Sequence, residues 1–146
     1  MIQRIQSLYL TLAGGLLAGK FVIPYFQGPS LLPNATMADG EFNVWDNVGL
    51  TGLTALGALV TFATVFLFRN RPLQARIATT TLMVSVLIIL LGAYSGWRTL
   101  DSLPPDDAVQ WRAGYALAPF AAVLQWLALR SIRSDEQLVR SMDRLR

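Results

Sequence analysis

Apolar residues fall along this chain in four blocks, at positions 5–26, 48–68, 77–97 and 111–129, with short polar segments between them. The second and third blocks contain no charged side chain and are joined by residues 69–76, which hold Arg69, Arg71 and Arg76. A hydrocarbon core about 30 Å thick takes about 20 residues of helix to cross. Lipid offers the backbone no hydrogen-bond partners, so each block must satisfy its own amides, as a helix does. The pattern predicts an all-α membrane protein: four transmembrane helices in an up-down-up-down bundle, one membrane domain over residues 1–146. The first block follows Arg4, is longer than the apolar part of a secretion signal, and is followed by no small-residue cleavage pattern. It reads as an uncleaved span, with Lys20 near its far end reaching its ammonium out to the interface.

The segments between the blocks add detail. Residues 27–47 form one loop, in which Asp39-Gly40 is a favoured type I′ turn. Thr36–Ala38 and Glu41–Val44 are expected to pair across it as a small β-hairpin. Residues 98–110 form a second loop, where Asp106 or Asp107 is placed to cap the last span. Pro72 should stop any continuous helix through the basic turn, and Pro119 falls mid-span. Residues 130–146 carry a capping-box pattern at Ser134-x-x-Gln137 and apolar Leu138, Met142 and Leu145 at helical spacing. Arg133, Arg140, Arg144 and Arg146 supply charge, so a short amphipathic helix is predicted there.

Small residues recur on the spans. Thr11, Gly15 and Gly19 share one face of the first, Gly57 and Thr61 one face of the second, and Gly92 and Gly96 one face of the third. Such faces let helix backbones approach closely, and packing within the chain is the favoured reading. Gln125, the most polar residue of the last span, is expected to bond across to another helix or to reach toward the inner surface.

Charge sets the orientation. With both termini cytoplasmic, nine of the twelve basic residues lie inside: Arg4, Arg69, Arg71, Arg76, Arg130, Arg133, Arg140, Arg144 and Arg146. Lys and Arg are retained on the cytoplasmic side. Six of the nine acids then lie outside. The composition, 53% hydrophobic and 14% charged with mean hydropathy +0.45, is far below the roughly 25% charge of a soluble domain. The net charge of +3 sits at the ends of apolar blocks and not along a patch, which argues against nucleic acid. The chain has no Cys and no His, which removes thiol chemistry, the usual transition-metal ligands and the commonest general base. No cofactor is expected.

Three stretches together resemble one family. The opening Met1-Ile2-Gln3-Arg4-Ile5-Gln6 is similar to its start. The turn from Phe66 to Arg76, with Arg69-Asn70-Arg71, Leu73, Gln74 and Arg76, is similar to its middle. The ending from Leu127 to Arg146 is similar to its close. The family is the set of Bacteroidota membrane proteins grouped as domain of unknown function 4293. The resemblance implies a four-helix inner-membrane protein and brings no catalytic residues with it. All three stretches fall on the predicted cytoplasmic face.

That face supplies the candidate docking set for a protein partner or for anionic lipid headgroups: Arg69, Asn70, Arg71, Leu73, Gln74, Arg76, Arg133, Leu138, Arg140, Met142, Arg144 and Leu145. The expected function is a non-catalytic accessory or scaffold subunit of a larger inner-membrane complex, with a small transporter or channel subunit as the alternative. Ionisable groups at membrane depth usually mark transport paths, and the cores of spans two, three and four have none, with Lys20 peripheral in the first.

Overall fold

A computed structural model describes residues 2–28, 37, 39–103 and 108–143, with side chains described outside 2–4 and 138–143. Helix α1 covers Ile2–Gly19, α2 Val48–Val65, α3 Arg71–Asp101 and α4 Gly114–Asp143. Strands β1 (Phe26–Gln27), β2 (Glu41–Phe42) and β3 (Gln110–Trp111) form one small antiparallel sheet in the order β2-β1-β3. Two tight helical turns, Val44–Asp46 and Phe66–Arg69, precede α2 and follow it.

Three segments are long and apolar enough to cross a membrane: Val48–Arg69, Arg71–Asp101 and Gly114–Gln137. The first predicted span is shorter than expected. Its apolar helix runs Ile5–Gly19, about 22 Å at 1.5 Å per residue. Pro24 lacks an amide and disfavours helical geometry in the residue before it. The chain closes the helix with tight bonds from the Lys20, Phe21 and Val22 amides to the Leu17, Ala18 and Gly19 carbonyls. It then turns into β1, so Phe26 is a strand residue and not a helix end.

Other boundaries move for similar reasons. Trp111 belongs to β3, and α4 begins at Gly114. Pro119 is thus near the start of its helix rather than in the middle, where it deprives fewer turns of support. Asp106 and Asp107 lie outside the described residues, and β3 separates them from α4. The helix is interrupted at Asn70, so none runs continuously through the basic turn, and Pro72 sits in the first turn of α3, where an amide has no intrahelical partner anyway. The predicted separate tail helix is the continuation of α4, which runs unbroken past Ser134 to Asp143.

The helices close a ring in which α1 packs on α2 and α4, and α3 packs on the same two. Large apolar side chains such as Leu8, Leu56, Leu59, Met83, Leu87, Leu90, Phe120 and Val123 are exposed. Polar ones, Thr54, Thr61, Thr64, Thr81, Ser85 and Gln125, are buried. That polarity suits a lipid surround, where hydrocarbon is as apolar as leucine and polar groups gain by facing one another. The Thr61 hydroxyl donates to the Gly57 carbonyl (2.6 Å) and accepts from Gln125 Nε2 (2.9 Å), tying α2 to α4. Thr64 donates to the Val60 carbonyl and Thr81 to that of Ala78.

The core between the helices holds Ala13, Leu17, Leu50, Ala58, Ile88, Ala118 and Ala121, and continues into Tyr25, Phe26, Met37, Phe42 and Val44 under the sheet. A second cluster, Ala75, Ala78, Leu129 and Ile132, joins α3 to α4 at the far end. Glycines admit two of these contacts. A Cβ on Gly57 would stand 3.2 Å from Ile88 and Val84, and one on Gly92 would stand 2.9 Å from the Tyr25 hydroxyl.

Candidate functional site

The bundle has two chemically distinct ends. One carries the sheet. The β1 register sets Phe26 opposite Phe42 on one side and Trp111 on the other. Phe26 and Phe42 stack at 4.9 Å, while Trp111 meets Phe26 and Tyr115 edge-on. The expected hairpin partner of residues 41–44 was 36–38. Thr36 and Ala38 lie outside the described residues, and Glu41–Phe42 pairs with β1 instead. Gly40 has φ 76° and no non-glycine residue has positive φ among the described residues, so Asp39-Gly40 is not a type I′ turn, which needs both central residues there. Beyond the ladder, the Tyr25 amide donates to Phe42, and the Arg112 and Gly114 amides donate to the Tyr25 and Pro24 carbonyls. The Gln27 side chain bridges Glu41 and Arg112.

Beneath this sheet lies Lys20. Its side chain does not reach outward as expected: it is 1% exposed. Nζ donates to the Gly114 carbonyl at 3.1 Å and stands 3.8 Å over the Tyr25 ring. Among the described residues no carboxylate pairs with it. The Tyr25 hydroxyl is buried and has no hydrogen-bond partner among the described residues. Lys20 and Tyr25 floor a cleft of about 130 Å³ between α3 and α4, walled by Ile88, Ile89, Ala93, Tyr115, Ala118 and Pro119. A second hollow of about 140 Å³, lined by Tyr25, Ala93, Trp97, Trp111 and Tyr115 among others, adjoins it. This site was missed from sequence. Lys20 was visible as a lone cation in an apolar run, but its partner Gly114 is 94 residues away.

The other end carries the arginines. Asn70 caps α3 by accepting from the Leu73 amide at 3.3 Å. Arg69, Asn70, Leu73 and Arg76 are exposed and Arg71 is half-buried. Gln74 departs from the expected docking set. It is 2% exposed, and its Nε2 donates to the Thr64 carbonyl at 3.2 Å, satisfying an acceptor freed where α2 ends. A side chain so engaged is an internal tie and not a docking surface. Arg133 donates to the Thr79 hydroxyl across the α3–α4 seam at 3.3 Å. With Trp126, Leu129, Arg130, Ser134 and Gln137 it lines an open groove of about 410 Å³. Gln6 Nε2 donates to the buried Asp135 carboxylate at 2.6 Å, joining α1 to α4. The side chains of Leu138, Arg140 and Met142, and all of Arg144 and Leu145, lie outside the described residues.

Of the small residues, Gly57, Thr61, Gly92 and Gly96 face the interior. Gly19 is half-buried, and a Cβ there would stand 3.6 Å from Leu117. Gly15 is not: it is exposed, and a Cβ there would meet nothing within 4 Å. The outward small face of α1 is therefore Thr11, Gly15 and Ala18 rather than Thr11, Gly15 and Gly19. The expected role of Gly15, packing within the chain, finds no contact among the described residues.

No curated protein and no solved structure matches the chain. A family model does, over residues 2–145, and it spans both ends of the bundle and everything between them. The chain belongs to the family described as domain of unknown function (DUF4293).

Proposed function

We propose that the chain is a non-catalytic accessory subunit of a larger protein assembly in the bacterial inner membrane. Its four helices run up-down-up-down with both termini cytoplasmic, and the arginine end faces the cytoplasm. The observation that carries the reading is the notch on α1. Thr11, Gly15 and Ala18 are all exposed, and among the described residues no side chain fills the space over Gly15. In lipid, close backbone approach and the dispersion contacts it brings are what drive helix association. The exposed arginines around Asn70 and the Arg130–Arg133 groove support a second contact, with a partner's cytoplasmic residues or with anionic headgroups.

The test is isolation of the tagged chain from native membranes in mild detergent, with mass spectrometry of what accompanies it. The expected result is a defined membrane partner. Gly15→Leu, which fills the notch without touching the core, should reduce the partner by about tenfold, the loss of roughly 1.4 kcal/mol of contact. A chain that runs alone, or a partner indifferent to Gly15→Leu, overturns the reading. The orientation has its own check, made easy by the absence of cysteine. Asn70→Cys and Asp39→Cys should be labelled from opposite sides of the membrane by an impermeant maleimide, and labelling from one side refutes the topology.

A further inference from the structure

We infer that the cleft between α3 and α4 at the sheet end binds the anionic headgroup of an acyl lipid, with Lys20 Nζ and the Tyr25 hydroxyl as its donors. The two donors reach this site by separate routes. Lys20 comes from the turn that ends α1, and Tyr25 from the residue before β1. Both side chains are almost fully buried, at 1% and 4% exposed, and both line the same cleft.

Among the described residues, Lys20 meets no opposite charge and the Tyr25 hydroxyl meets no hydrogen-bond partner. A buried ammonium is costly unless it meets an opposite charge. Lys20 has one neutral carbonyl, that of Gly114, and one ring face. A buried hydroxyl ordinarily has a partner, and that of Tyr25 has none among the described residues. One bound anion would satisfy both groups, because the ammonium supplies the charge and the phenol a second hydrogen bond.

The walls identify what carries the anion. Ile88, Ile89, Ala118 and Pro119 are apolar. Ala93, Tyr115 and Pro119 are exposed on the bundle surface, so the cleft opens sideways between two membrane-crossing helices. At about 130 Å³ it has room for a carboxylate or phosphate with its first carbons, since a water molecule takes about 30 Å³. It cannot hold a whole lipid, so the chain must leave along the α3–α4 seam. Trp97, Trp111 and Tyr115 line the adjoining hollow, and amphipathic rings of this kind collect at headgroup depth. This site lies at the opposite end from the arginines, so it is separate from any headgroup binding there.

The full chain in phosphatidylcholine nanodiscs provides the test. Phosphatidylglycerol is titrated in one arm and oleate in another, which separates a phosphodiester lipid from a free fatty acid. Glycerol phosphate and acetate are added in a third arm as headgroups without chains. Native mass spectrometry reads the lipid retained per chain. The expected result is preferential retention of one anionic lipid over phosphatidylcholine. Tyr25→Phe should weaken that retention about tenfold, the size of one hydrogen bond to a charged group, with the lipid-free unfolding midpoint unchanged. Lys20→Met should abolish the preference. If that variant does not fold, Tyr25→Phe decides alone, because the Tyr25 hydroxyl bonds nothing among the described residues. Equal retention of neutral and anionic lipid, retention unaffected by Tyr25→Phe, or equal binding of the chain-free headgroups each overturns the inference.

Discussion

The two ends of the bundle are closed by different means. At the sheet end the main chain does the joining. The Tyr25 carbonyl accepts from Arg112 just after β3 and the Pro24 carbonyl from Gly114 at the start of α4, β1 pairs with two strands, and aromatic rings fill the space beneath. At the arginine end the bonds are between side chains or from side chain to backbone: Gln6 to Asp135, Gln74 to Thr64, Asn70 to Leu73 and Arg133 to Thr79. A backbone closure depends on shape, and a single added carbon can prevent it. A side-chain closure depends on chemistry, and each bond can be removed and replaced separately. The sheet end should therefore fail all at once and the arginine end by degrees.

Gly114→Ala gives the largest expected effect. A Cβ there would lie 2.3 Å from the Pro24 carbonyl oxygen and 2.4 Å from that of Ile23. Both obstacles are backbone, so neither can turn aside. The shift would also carry away the carbonyl that holds Lys20 and the amide that bonds Pro24. Overpacking costs about 1–3 kcal/mol where side chains can adjust; here a loss above about 3 kcal/mol is expected, measured by unfolding in mixed micelles. The matched control is Gly15→Ala, with open space at Cβ, which should be neutral or gain up to about 1 kcal/mol from helix propensity. Similar costs for the two would show that the close backbone approach at Gly114 is not what makes the sheet end sensitive.

Gln6→Leu is the intermediate case. It removes the 2.6 Å donor to Asp135, a carboxylate only 7% exposed. Removing one partner leaves the other with its desolvation cost, so about 2 kcal/mol should be lost. Adding Asp135→Leu to Gln6→Leu should recover much of that, because two apolar groups of similar size replace a polar pair at little cost. A double-mutant cycle measures the coupling. A double variant as unstable as Gln6→Leu alone would mean that the arginine end, too, is fixed by shape.

This contrast explains what could be read from the sequence. Helices α2 and α3 were legible because their blocks are long, charge-free and set off by arginines; insertion into lipid is a property of composition. The Gln125 bond across the bundle follows from the same solvent logic, whereas which helix faces turn outward was not legible, because it depends on how the helices are rotated against one another. The sheet end was not legible. Residues 20–26 read as the end of an apolar helix because Phe21, Val22, Ile23, Tyr25 and Phe26 are as apolar as the span before them. What turns them into a strand is pairing with residues near 42 and 111, and strand pairing between two-residue elements leaves no periodicity to detect. The burial of Lys20 and the exposure of Gly15 were hidden for a related reason. Both depend on how α1 is rotated against α4, which small-residue spacing alone leaves open. Gln74, inside a polar basic stretch, gave no sign that α2 would leave a carbonyl for it.

The smallest expected effect is a pH dependence confined to the sheet end. Asp46 closes the turn before α2, accepting from the Asn43 amide at 2.7 Å while the Asn43 side chain accepts from the Trp45 amide at 2.8 Å. Burial pushes the Asp46 carboxyl above its ordinary 3.8, and the Asp39 charge adds to the rise, against the opposing Asn43 bond. A raised carboxyl pKa means the folded state holds the proton more tightly than the unfolded state. Stability therefore rises as pH falls through the folded value toward 3.8, and is lost again as pH climbs past it. Asp46 is partly exposed, so solvent screens most of the effect. It should appear as a slight lowering of the unfolding midpoint between about pH 4 and pH 7, followed through the fluorescence of Trp45, whose indole N–H is bonded to the Phe21 carbonyl at 3.0 Å. Asp46→Asn keeps an acceptor for the Asn43 amide but cannot ionise, so its midpoint should be flatter across the same range. Equal slopes for both would show that the acid response of this end does not arise at Asp46, and that the sheet, once formed, tolerates the charge without loss.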